Sequence, residues 1–416
     1  MDVIKGNLVF SKSLNELVIR ENACIAFDDK GIEGIYDSLP SHLKDANLTD
    51  YGNALILPSF CDMHLHAPQY PMLGIGMDLP LIDWLNTYTF PTEAHFADKE
   101  VARRVYSVLA KELIQKGTTR VAMFSSLHTD ATIILMEELE KAGVVGYVGK
   151  VNMDRNGGVN LQETTEESIN ETIRFIKESK KFKHLKPIIT PRFTPSCTNE
   201  LMEALGRIAR DYNLPIQSHL SENVGEIAWV KELHPDTTNY YESYEKYGLW
   251  NNRTLMAHCV HSNEKELSAI KDAGVAVVHC PSSNENLTSG YARVRKMLDM
   301  GIAVYLGSDI AGGDHLSMFD NVAAAIRASK ARMKMDEDNT PFLNVEEAFY
   351  LATTAPASFF GDKTFEKGAP LHAIVLTDDN LPTVRKLSVK ERFERAIYRQ
   401  EENAIKAVYS ENKRVL

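Results

Sequence analysis

Residues 57–66 read LPSFCDMHLH, and this stretch decides the fold of the chain. The apolar run from Ala54 to Leu57 predicts a short buried strand, and His64 and His66 lie at its end. Side chains two residues apart leave a strand on the same face, with Cα atoms about 6.7 Å apart. Two imidazoles placed in this way suit one metal ion, although such a pair alone is more often an ordinary pair of polar residues.

Three later apolar runs also end in a residue that can bind a metal. His219 follows Pro-Ile-Gln-Ser, His258 follows Leu-Met-Ala, and Asp309 follows Leu-Gly-Ser. Any one of these residues alone is more simply explained as a buried structural residue. His or Asp at four separate strand ends makes that explanation improbable, so we expect these side chains to meet in one site.

The middle of the chain, from about residue 55 to 360, repeats an amphipathic helix, a glycine and an apolar strand. Glycine ends a helix readily because it adopts the left-handed conformation without a Cβ penalty. Eight strand candidates follow one another, which is the pattern of a (β/α)8 TIM-like barrel. They end near His66, Phe124, Lys150, Pro191, His219, His258, Cys280 and Asp309.

An open doubly wound sheet is the alternative architecture. It is disfavoured because no glycine-rich phosphate loop follows an early strand, and because the first and eighth strands are neighbours only in a closed barrel. Residues 1–56 and 365–416 carry short apolar runs broken by Gly, Asn and Asp. The predicted fold class is therefore α/β, with a metal-dependent barrel at 57–364 and a small β-sandwich domain built from both termini.

Composition excludes several classes of protein. The chain has 416 residues, of which 44% are hydrophobic and 25% charged, and its net charge is −11. A negative protein is a poor partner for nucleic acid or for an anionic membrane. Five scattered cysteines without a CxxC pair argue against a disulfide framework and favour a reducing compartment. With no signal peptide and no apolar run of about 20 residues, we expect a cytoplasmic protein.

The candidate ligands predict the identity of the metal. Three imidazoles and a carboxylate suit Zn²⁺, with Fe²⁺ as second choice. Five protein ligands would leave little room for chemistry, so His258 is expected beside the ion rather than on it. The predicted metal ligands are His64, His66, His219 and Asp309.

The strand-end pattern resembles a known family. His-x-His at the first strand, His at the fifth and sixth, and Asp at the eighth are similar to the amidohydrolase superfamily of metal-dependent hydrolases and deaminases. The resemblance covers nearly the whole chain. Superfamily members with two metals carry a carboxylated Lys at the fourth strand, which here reads Pro187-Ile-Ile-Thr-Pro-Arg192. The resemblance thus implies the branch with one metal ion per chain.

Five motifs narrow the resemblance to the guanine deaminases of that superfamily. The motifs are HLHAPQY (64–70), RFTPSC (192–197), QSHLSEN (217–223), HCPSSN (279–284) and GSDIAGG (307–313). This resemblance implies hydrolytic deamination of guanine at C2, which yields xanthine and ammonia. A small-molecule purine is then the expected partner.

The residues make chemical sense for that reaction. Zinc lowers the pKa of a bound water to roughly 7, and Asp309 is placed to accept the water proton while His258 orients the hydroxide. Glu222, three residues after His219, is expected to protonate ring nitrogen N3 and then to carry a proton to the leaving ammonia. The alternative role for Glu222 is to cap the next helix.

Three further residues are expected to hold the purine. Arg192 presents two parallel donors that match O6 and N7 of guanine. Gln69 offers a donor and an acceptor to the amide edge, and Phe193 packs on the ring face. The alternatives are a structural salt bridge for Arg192, a solvated loop position for Gln69 and a core position for Phe193. The remaining substrate contacts are expected from His219, Glu222 and Asp309.

Two other functions remain open at this point. One is a one-metal deaminase or chlorohydrolase acting on another aminated ring, such as cytosine, adenosine or an s-triazine. Arg192 argues against adenine, whose N6 is a donor that Arg cannot accept from. The other is a catalytically silent scaffold, which would normally lack a ligand. Such barrels often pair, so a homodimer is expected, and Pro71 to Phe90 is the predicted lid.

Overall fold

The structure, a computed structural model, describes residues 1–158, 160–336, 340–399 and 404–416. Its strands are β1 (Asp2–Ser13), β2 (Glu16–Asp28), β3 (Gly31–Tyr36), β4 (Asn47–Pro58), β5 (Phe60–His66), β6 (Thr118–Phe124), β7 (Val145–Gly149), β8 (Val151–Asn152), β9 (Leu185–Pro187), β10 (Thr190–Pro191), β11 (Ile216–Leu220), β12 (Thr254–His258), β13 (Ala276–His279), β14 (Val304–Leu306), β15 (Ala373–Leu376), β16 (Ile405–Ser410) and β17 (Lys413–Arg414).

The α-helices of the same residues are α1 (Leu81–Trp84), α2 (Phe90–Ala94), α3 (Lys99–Gln115), α4 (Thr129–Ala142), α5 (Thr165–Glu178), α6 (Asn199–Asp211), α7 (Val224–Leu233), α8 (Glu242–Glu245), α9 (Glu264–Ala273), α10 (Pro281–Asn286), α11 (Val294–Asp299), α12 (Met318–Asp336), α13 (Val345–Ala352), α14 (Thr354–Ala357) and α15 (Val389–Tyr398).

Strands from the two ends of the chain form one sheet, in the order β17-β16-β15-β4-β1-β2-β3. The two ends meet where β15 pairs antiparallel with β4, with Ala373 opposite Pro58. The sheet curls on itself, because the rings of Phe27 in β2 and Tyr409 in β16 lie 5.8 Å apart although three strands separate them in the order. The two halves thus enclose a common apolar core, as in a small β-sandwich.

The barrel strands follow β4. One parallel sheet contains β5, β6, β7 and β9, a second contains β11 to β14, and β8 pairs with β10. A parallel bridge between Ile189 and Ile216 links the two sheets. On the other side, the backbone N–H of Asp309 donates to the carbonyl of His64 at 2.7 Å. The architecture is α/β of the TIM-barrel type, as predicted, and each predicted strand end lies within three residues of an observed one.

The first strand was assigned wrongly in one respect. The apolar run from Ala54 to Leu57 belongs to β4 of the terminal sheet, whereas His64 and His66 lie in β5, the next strand. The chain changes partners between the two: Ser59 N–H donates to His372 of the terminal segment, and Phe60 N–H donates to Gly117 of the barrel. Because the end of β4, from Ala54 to Pro58, and the whole of β5 are buried, the sequence gives no sign of this change of partners.

Short turns return the chain from each helix to the next strand. Gly143 ends α4 with φ +88° and precedes β7, and Gly274 ends α9 with φ +70° and precedes β13. Only glycine adopts this left-handed conformation without steric cost. The predicted helix–glycine–strand repeat is therefore confirmed at these positions, and it directs the carboxyl ends of the strands to one face of the barrel.

The remaining predictions from composition concern cysteines and membranes. The cysteines at 24, 61, 197, 259 and 280 are all buried and free. Within the described ranges, the structure contains no helix with the length and apolarity that a membrane span requires.

Candidate metal centre and active site

The four predicted metal ligands converge at the carboxyl end of the barrel. The Nε2 atoms of His64 and His66 lie 3.2 and 3.5 Å from Oδ1 of Asp309. The Nε2 atoms of His66 and His219 lie 3.2 Å apart. His64, His66 and Asp309 are buried, and His219 is partly exposed. Side chains from the first, fifth and eighth barrel strands thus point at one small volume.

The donor set fits a cation. The Nδ1–H of His219 donates to the backbone carbonyl of Arg192 at 2.6 Å, so the lone pair of Nε2 faces the centre. Burial lowers the pKa of His66 and His219 well below the usual histidine value, which keeps both imidazoles neutral. Among the described residues, His64 Nε2 has no hydrogen-bond partner, and it lies 3.2 Å from Asp309 Oδ1 in the volume that the Nε2 atoms of His66 and His219 also face. Buried nitrogen and oxygen lone pairs left facing one another are costly without a metal ion.

His258 lies between this cluster and a second carboxylate. Its Nδ1–H donates to Oδ1 of Asn284 at 2.9 Å. Its Nε2 lies 3.5 Å from Glu222 Oε2 and 3.8 Å from Asp309 Oδ2. Burial opposes a charge on His258, but Glu222 and Asp309 together raise its pKa above the usual value. This placement leaves His258 able to hold a proton between two carboxylates.

The backbone is strained where these residues sit. His258 has φ +73° and Asp309 has φ +49°, both in the left-handed region that residues with a side chain avoid. Such conformations cost free energy and persist at functional sites because the surrounding structure enforces them. In both cases the strand ends at or shortly before the residue, and the strained turn directs the side chain into the site.

Glu222 is buried and lines the cavity that lies beside this cluster of ligands. Its Oε1 accepts a hydrogen bond from Ser289 Oγ at 3.2 Å. Burial raises the pKa of Glu222 to about 7, and the nearby His258 opposes the rise. Glu226, one helical turn further on, accepts from the backbone N–H of Glu222 at 2.9 Å and fixes its position. Glu222 therefore can exchange protons near neutral pH, and the helix-capping contact belongs instead to Asn223.

The cavity beside the cluster has polar and apolar walls. Gln69, Arg192 and Phe193, the three predicted substrate contacts, all line it. Phe193 is buried and packs edge-on against Trp229, with ring centroids 6.1 Å apart. The predicted lid segment also contributes side chains to the wall. They are Leu81, Trp84 and Leu85.

Arg192 and Gln69 already have protein partners. The Nη1 and Nη2 atoms of Arg192 donate to the two carboxylate oxygens of Glu93 at 2.7 and 2.9 Å. Gln69 Nε2 donates to Glu93 Oε1 at 2.8 Å, and Gln69 Oε1 accepts from the backbone N–H of Ala311 at 3.0 Å. The salt-bridge alternative for Arg192 is therefore observed, with both terminal nitrogens of its guanidinium bonded to Glu93.

Sequence reasoning missed two residues at the centre besides Glu93. Asp62 is fully buried and accepts from the backbone N–H of Ser308 at 2.9 Å and from its hydroxyl at 2.5 Å, which fixes the turn before Asp309. Asp62 lies two residues before His64, so the strand period could have placed it on the same face. Cys280 belongs to a buried group of four residues that could bind a metal ion, and their ligand atoms all lie within 4.8 Å of one another. Its other members are His64, His258 and Asp309.

Comparison with known proteins agrees with this geometry. The model of the amidohydrolase family matches residues 55–393. The chain belongs to the amidohydrolase family. Among its relatives in that family, guanine deaminase from Dictyostelium discoideum is 40% identical in a 370-residue alignment that covers 84% of this chain and 82% of the relative. Guanine deaminase from Rattus norvegicus is 42% identical in a 327-residue alignment that covers 77% of this chain and 72% of the relative.

Solved structures extend the match to the whole chain. The crystal structure of guanine deaminase from C. acetobutylicum with bound guanine in the active site is 45% identical, and the two chains cover each other completely with a TM-score of 0.97. The resemblance to the guanine deaminases of the amidohydrolase family is therefore confirmed, and the protein is a metal-dependent hydrolase of the TIM-barrel type.

Proposed function

We propose that this amidohydrolase is a guanine deaminase, which converts guanine and water into xanthine and ammonia. The observation that carries the proposal is the cluster of His64, His66, His219 and Asp309 beside a buried glutamate, Glu222, in one cavity. Relatives at 40 to 45% identity with this name support it. The reaction breaks the C2–N bond and replaces the amino group with an oxygen from water.

We assign one metal ion to the four clustered ligands, with Zn²⁺ preferred and Fe²⁺ as second choice. Three neutral imidazoles with one carboxylate form a donor set that favours zinc. When bound, the ion lowers the pKa of a water to roughly 7, so that a nucleophile is available at neutral pH. Asn284 orients His258, whose Nε2 lies between Glu222 Oε2 at 3.5 Å and Asp309 Oδ2 at 3.8 Å, and we place His258 beside the ion rather than on it because a fifth protein ligand would leave little room for water.

The proton transfers are assigned to three side chains. Asp309 accepts the proton of the attacking water, and His258 holds that water by a hydrogen bond. Glu222 gives a proton to N3 of guanine and later passes a proton to the departing amino group, which leaves as ammonia. Its pKa of about 7 supports both directions of transfer, since an acid near the working pH gives up and regains a proton easily.

The purine is assigned to the cavity with its C2 edge toward the cluster. Arg192 keeps N–H groups that Glu93 does not use, and these donors suit O6 and N7 of guanine. Gln69 keeps one N–H and one lone pair for the amide edge, and Phe193 lines the wall on which the ring packs. His219, Glu222 and Asp309 complete the assigned substrate contacts.

Three further predictions stay proposals. We divide the chain into a small β-domain, 1–56 with 365–416, and a catalytic barrel, 57–364. Residues 159, 337–339 and 400–403 of this division lie outside the described residues. The common core of the terminal strands supports the division. A cytoplasmic location and a homodimer are also proposed, the first because all the cysteines are free thiols.

An ammonia-release assay with guanine, adenine, cytosine and guanosine tests the function. We expect turnover of guanine, with xanthine as the product, at a kcat/KM at least about a hundredfold above that of the other three compounds. Preferred turnover of another ring would favour the sibling deaminases instead. Elemental analysis tests the scaffold alternative: less than about half an equivalent of metal per chain, not restored by added Zn²⁺ or Fe²⁺, would support it.

A further inference from the structure

Glu93 is a buried carboxylate that joins two walls of the cavity. It lies in the short helix α2, directly after the predicted lid segment, and its side chain is 1% exposed. Its two side-chain partners, Arg192 and Gln69, both line the cavity. Arg192 directly follows β10, and Gln69 lies in the turn after β5. A carboxylate this deep is stable only when both oxygens are satisfied.

Both oxygens of Glu93 are satisfied by these partners. Oε2 accepts from Arg192 Nη1 at 2.7 Å, and Oε1 accepts from Arg192 Nη2 at 2.9 Å and from Gln69 Nε2 at 2.8 Å. A two-point contact with a carboxylate fixes the plane of a guanidinium as well as its position. The ring of Phe90, in the same helix, packs 5.1 Å from the Arg192 guanidinium carbon and limits it further.

We propose that Glu93 is the positioning residue that sets the order of donors and acceptors presented to the purine. The inference rests on the proposed function, because it assumes that Arg192 and Gln69 contact guanine. Glu93 acts through these two residues and not on the substrate. It thereby determines the preference for a ring with acceptors at O6 and N7 over a ring with a donor at position 6.

The orientation of the Gln69 amide is the strongest support for this role of Glu93. A carboxylate only accepts, so the NH2 group of Gln69 must face Glu93, and the carbonyl must face the N–H of Ala311. The amide then presents its second N–H and its second lone pair in one fixed order. A neutral amide at position 93 both donates and accepts, so it would allow Gln69 to turn over and to reverse that order.

The same network reaches the metal centre. Ala311 lies two residues after Asp309, and its N–H is held by Gln69. Asp309 is fixed independently through the carbonyl of His64. Loss of the Glu93 contact is therefore expected to disturb the order of polar groups in the cavity while the cluster of metal ligands stays in place.

The test compares Glu93→Gln with Glu347→Gln. Glu347 is the matched control, because it is a mostly buried glutamate whose two oxygens both accept from one arginine, Arg295, at 2.7 Å, and it does not line the cavity. Four quantities are measured for each variant: metal content, thermal midpoint, kcat and KM for guanine, and inhibition by adenine. The control allows for the general cost of breaking a buried ion pair.

We expect Glu93→Gln to keep its metal and to raise KM for guanine by roughly tenfold or more, with a smaller change in kcat. The guanine-to-adenine preference should fall by roughly tenfold, since the amide order is no longer fixed. Glu347→Gln should lower the thermal midpoint without changing that preference. In the background of Arg192→Gln, Glu93→Gln should add less loss than it causes in the wild type, because the contact with Arg192 is already absent and only the contact with Gln69 remains to be lost.

The inference is overturned if Glu93→Gln retains the wild-type preference, or if its losses simply add to those of Arg192→Gln. Loss of metal from Glu93→Gln would also overturn it, since Glu93 would then support the metal centre. Failure of the proposed function is distinguishable, because in that case the wild-type protein itself does not turn over guanine.

Discussion

The backbone N–H of Asp309 donates to the carbonyl oxygen of His64 at 2.7 Å, so the main chain itself fixes two predicted metal ligands to each other. The side chains of the same two residues also lie close together, with His64 Nε2 at 3.2 Å from Asp309 Oδ1. The contact joins the last barrel strand to the first. Ligand geometry at this centre therefore depends on how closely the two backbones approach.

Gly307 permits that approach, which gives a first prediction. A Cβ at position 307 would lie 2.7 Å from His64 Cβ and 2.9 Å from the His64 backbone N and O, and backbone atoms cannot move aside cheaply. We expect Gly307→Ala to destabilise the protein by about 1–3 kcal/mol and to weaken metal binding. Thermal unfolding and metal titration measure both effects. Gly225→Ala is the control, because its Cβ would meet only one side-chain atom, at 3.4 Å; equal behaviour of the two variants would contradict the prediction.

A second prediction separates metal ligands from His258. His219→Ala removes a nitrogen that faces the centre, so we expect it to retain less than about half an equivalent of metal. His258→Asn should retain close to one equivalent, because the Asn amide can still donate to Asn284 and the four assigned ligands are intact. Both variants should lose most of their guanine turnover. Metal is measured by elemental analysis after dialysis.

The exposed His315 provides the control for this pair, since its imidazole lies 3.5 Å from the carboxylate of the neighbouring Asp314 and is not among the clustered ligands. His315→Ala should behave as wild type. Loss of metal from His258→Asn equal to that from His219→Ala would make His258 a fifth ligand and would refute the four-ligand assignment.

A third prediction concerns proton transfer by Glu222. Glu222→Gln keeps the shape of the side chain and its contact with Ser289 but cannot exchange a proton. We expect kcat to fall by about 10²–10⁴-fold, with full metal content and nearly unchanged affinity for guanine. Steady-state kinetics and direct binding measure these quantities. Glu232→Gln, an exposed change in α7, is the control; a change in KM alone would assign Glu222 to binding rather than to catalysis.

The convergence of the ligands was predictable because barrel strands share one direction and their ends share one face. His64, His66, His219 and Asp309 each follow an apolar run, so their meeting point follows from topology alone. The strand assignment of one segment was wrong for a physical reason. The run at 54–57 lies in β4 because buried strands of adjacent sheets carry the same apolar pattern.

Glu93 was invisible in the sequence for a different reason. It pairs with Arg192 across 99 residues, in a helix that carries no recognisable motif, and a lone glutamate is usually solvated. From the sequence, the donors of Arg192 predict an acceptor, and the purine is the acceptor that the motif offers. Only the fold shows that a protein carboxylate also accepts from Nη1 and Nη2 of Arg192, so specificity depends on the pair rather than on Arg192 alone.

A last prediction concerns His372, at the junction of the terminal sheet and the barrel. Its imidazole is buried, with Nδ1 at 3.0 Å from Thr119 Oγ1 and Nε2 at 3.2 Å from Glu411 Oε1. Burial, aided by the nearby charge of Arg120, lowers the pKa of His372 from 6.5 to about 4. The neutral ring then accepts from Thr119 and donates to Glu411.

The sign of the resulting pH dependence follows from proton binding. In the unfolded chain His372 becomes protonated below pH 6.5, whereas in the folded protein it becomes protonated only near pH 4. This contribution to stability is therefore complete above pH 6.5 and is lost as the pH falls toward 4. At about 1.4 kcal/mol per pKa unit, roughly 3 kcal/mol is at stake. His372→Gln removes the titration, so its stability deficit relative to wild type, measured by urea unfolding, should shrink between pH 7 and pH 4; a constant deficit would show that the imidazole does not titrate in this range.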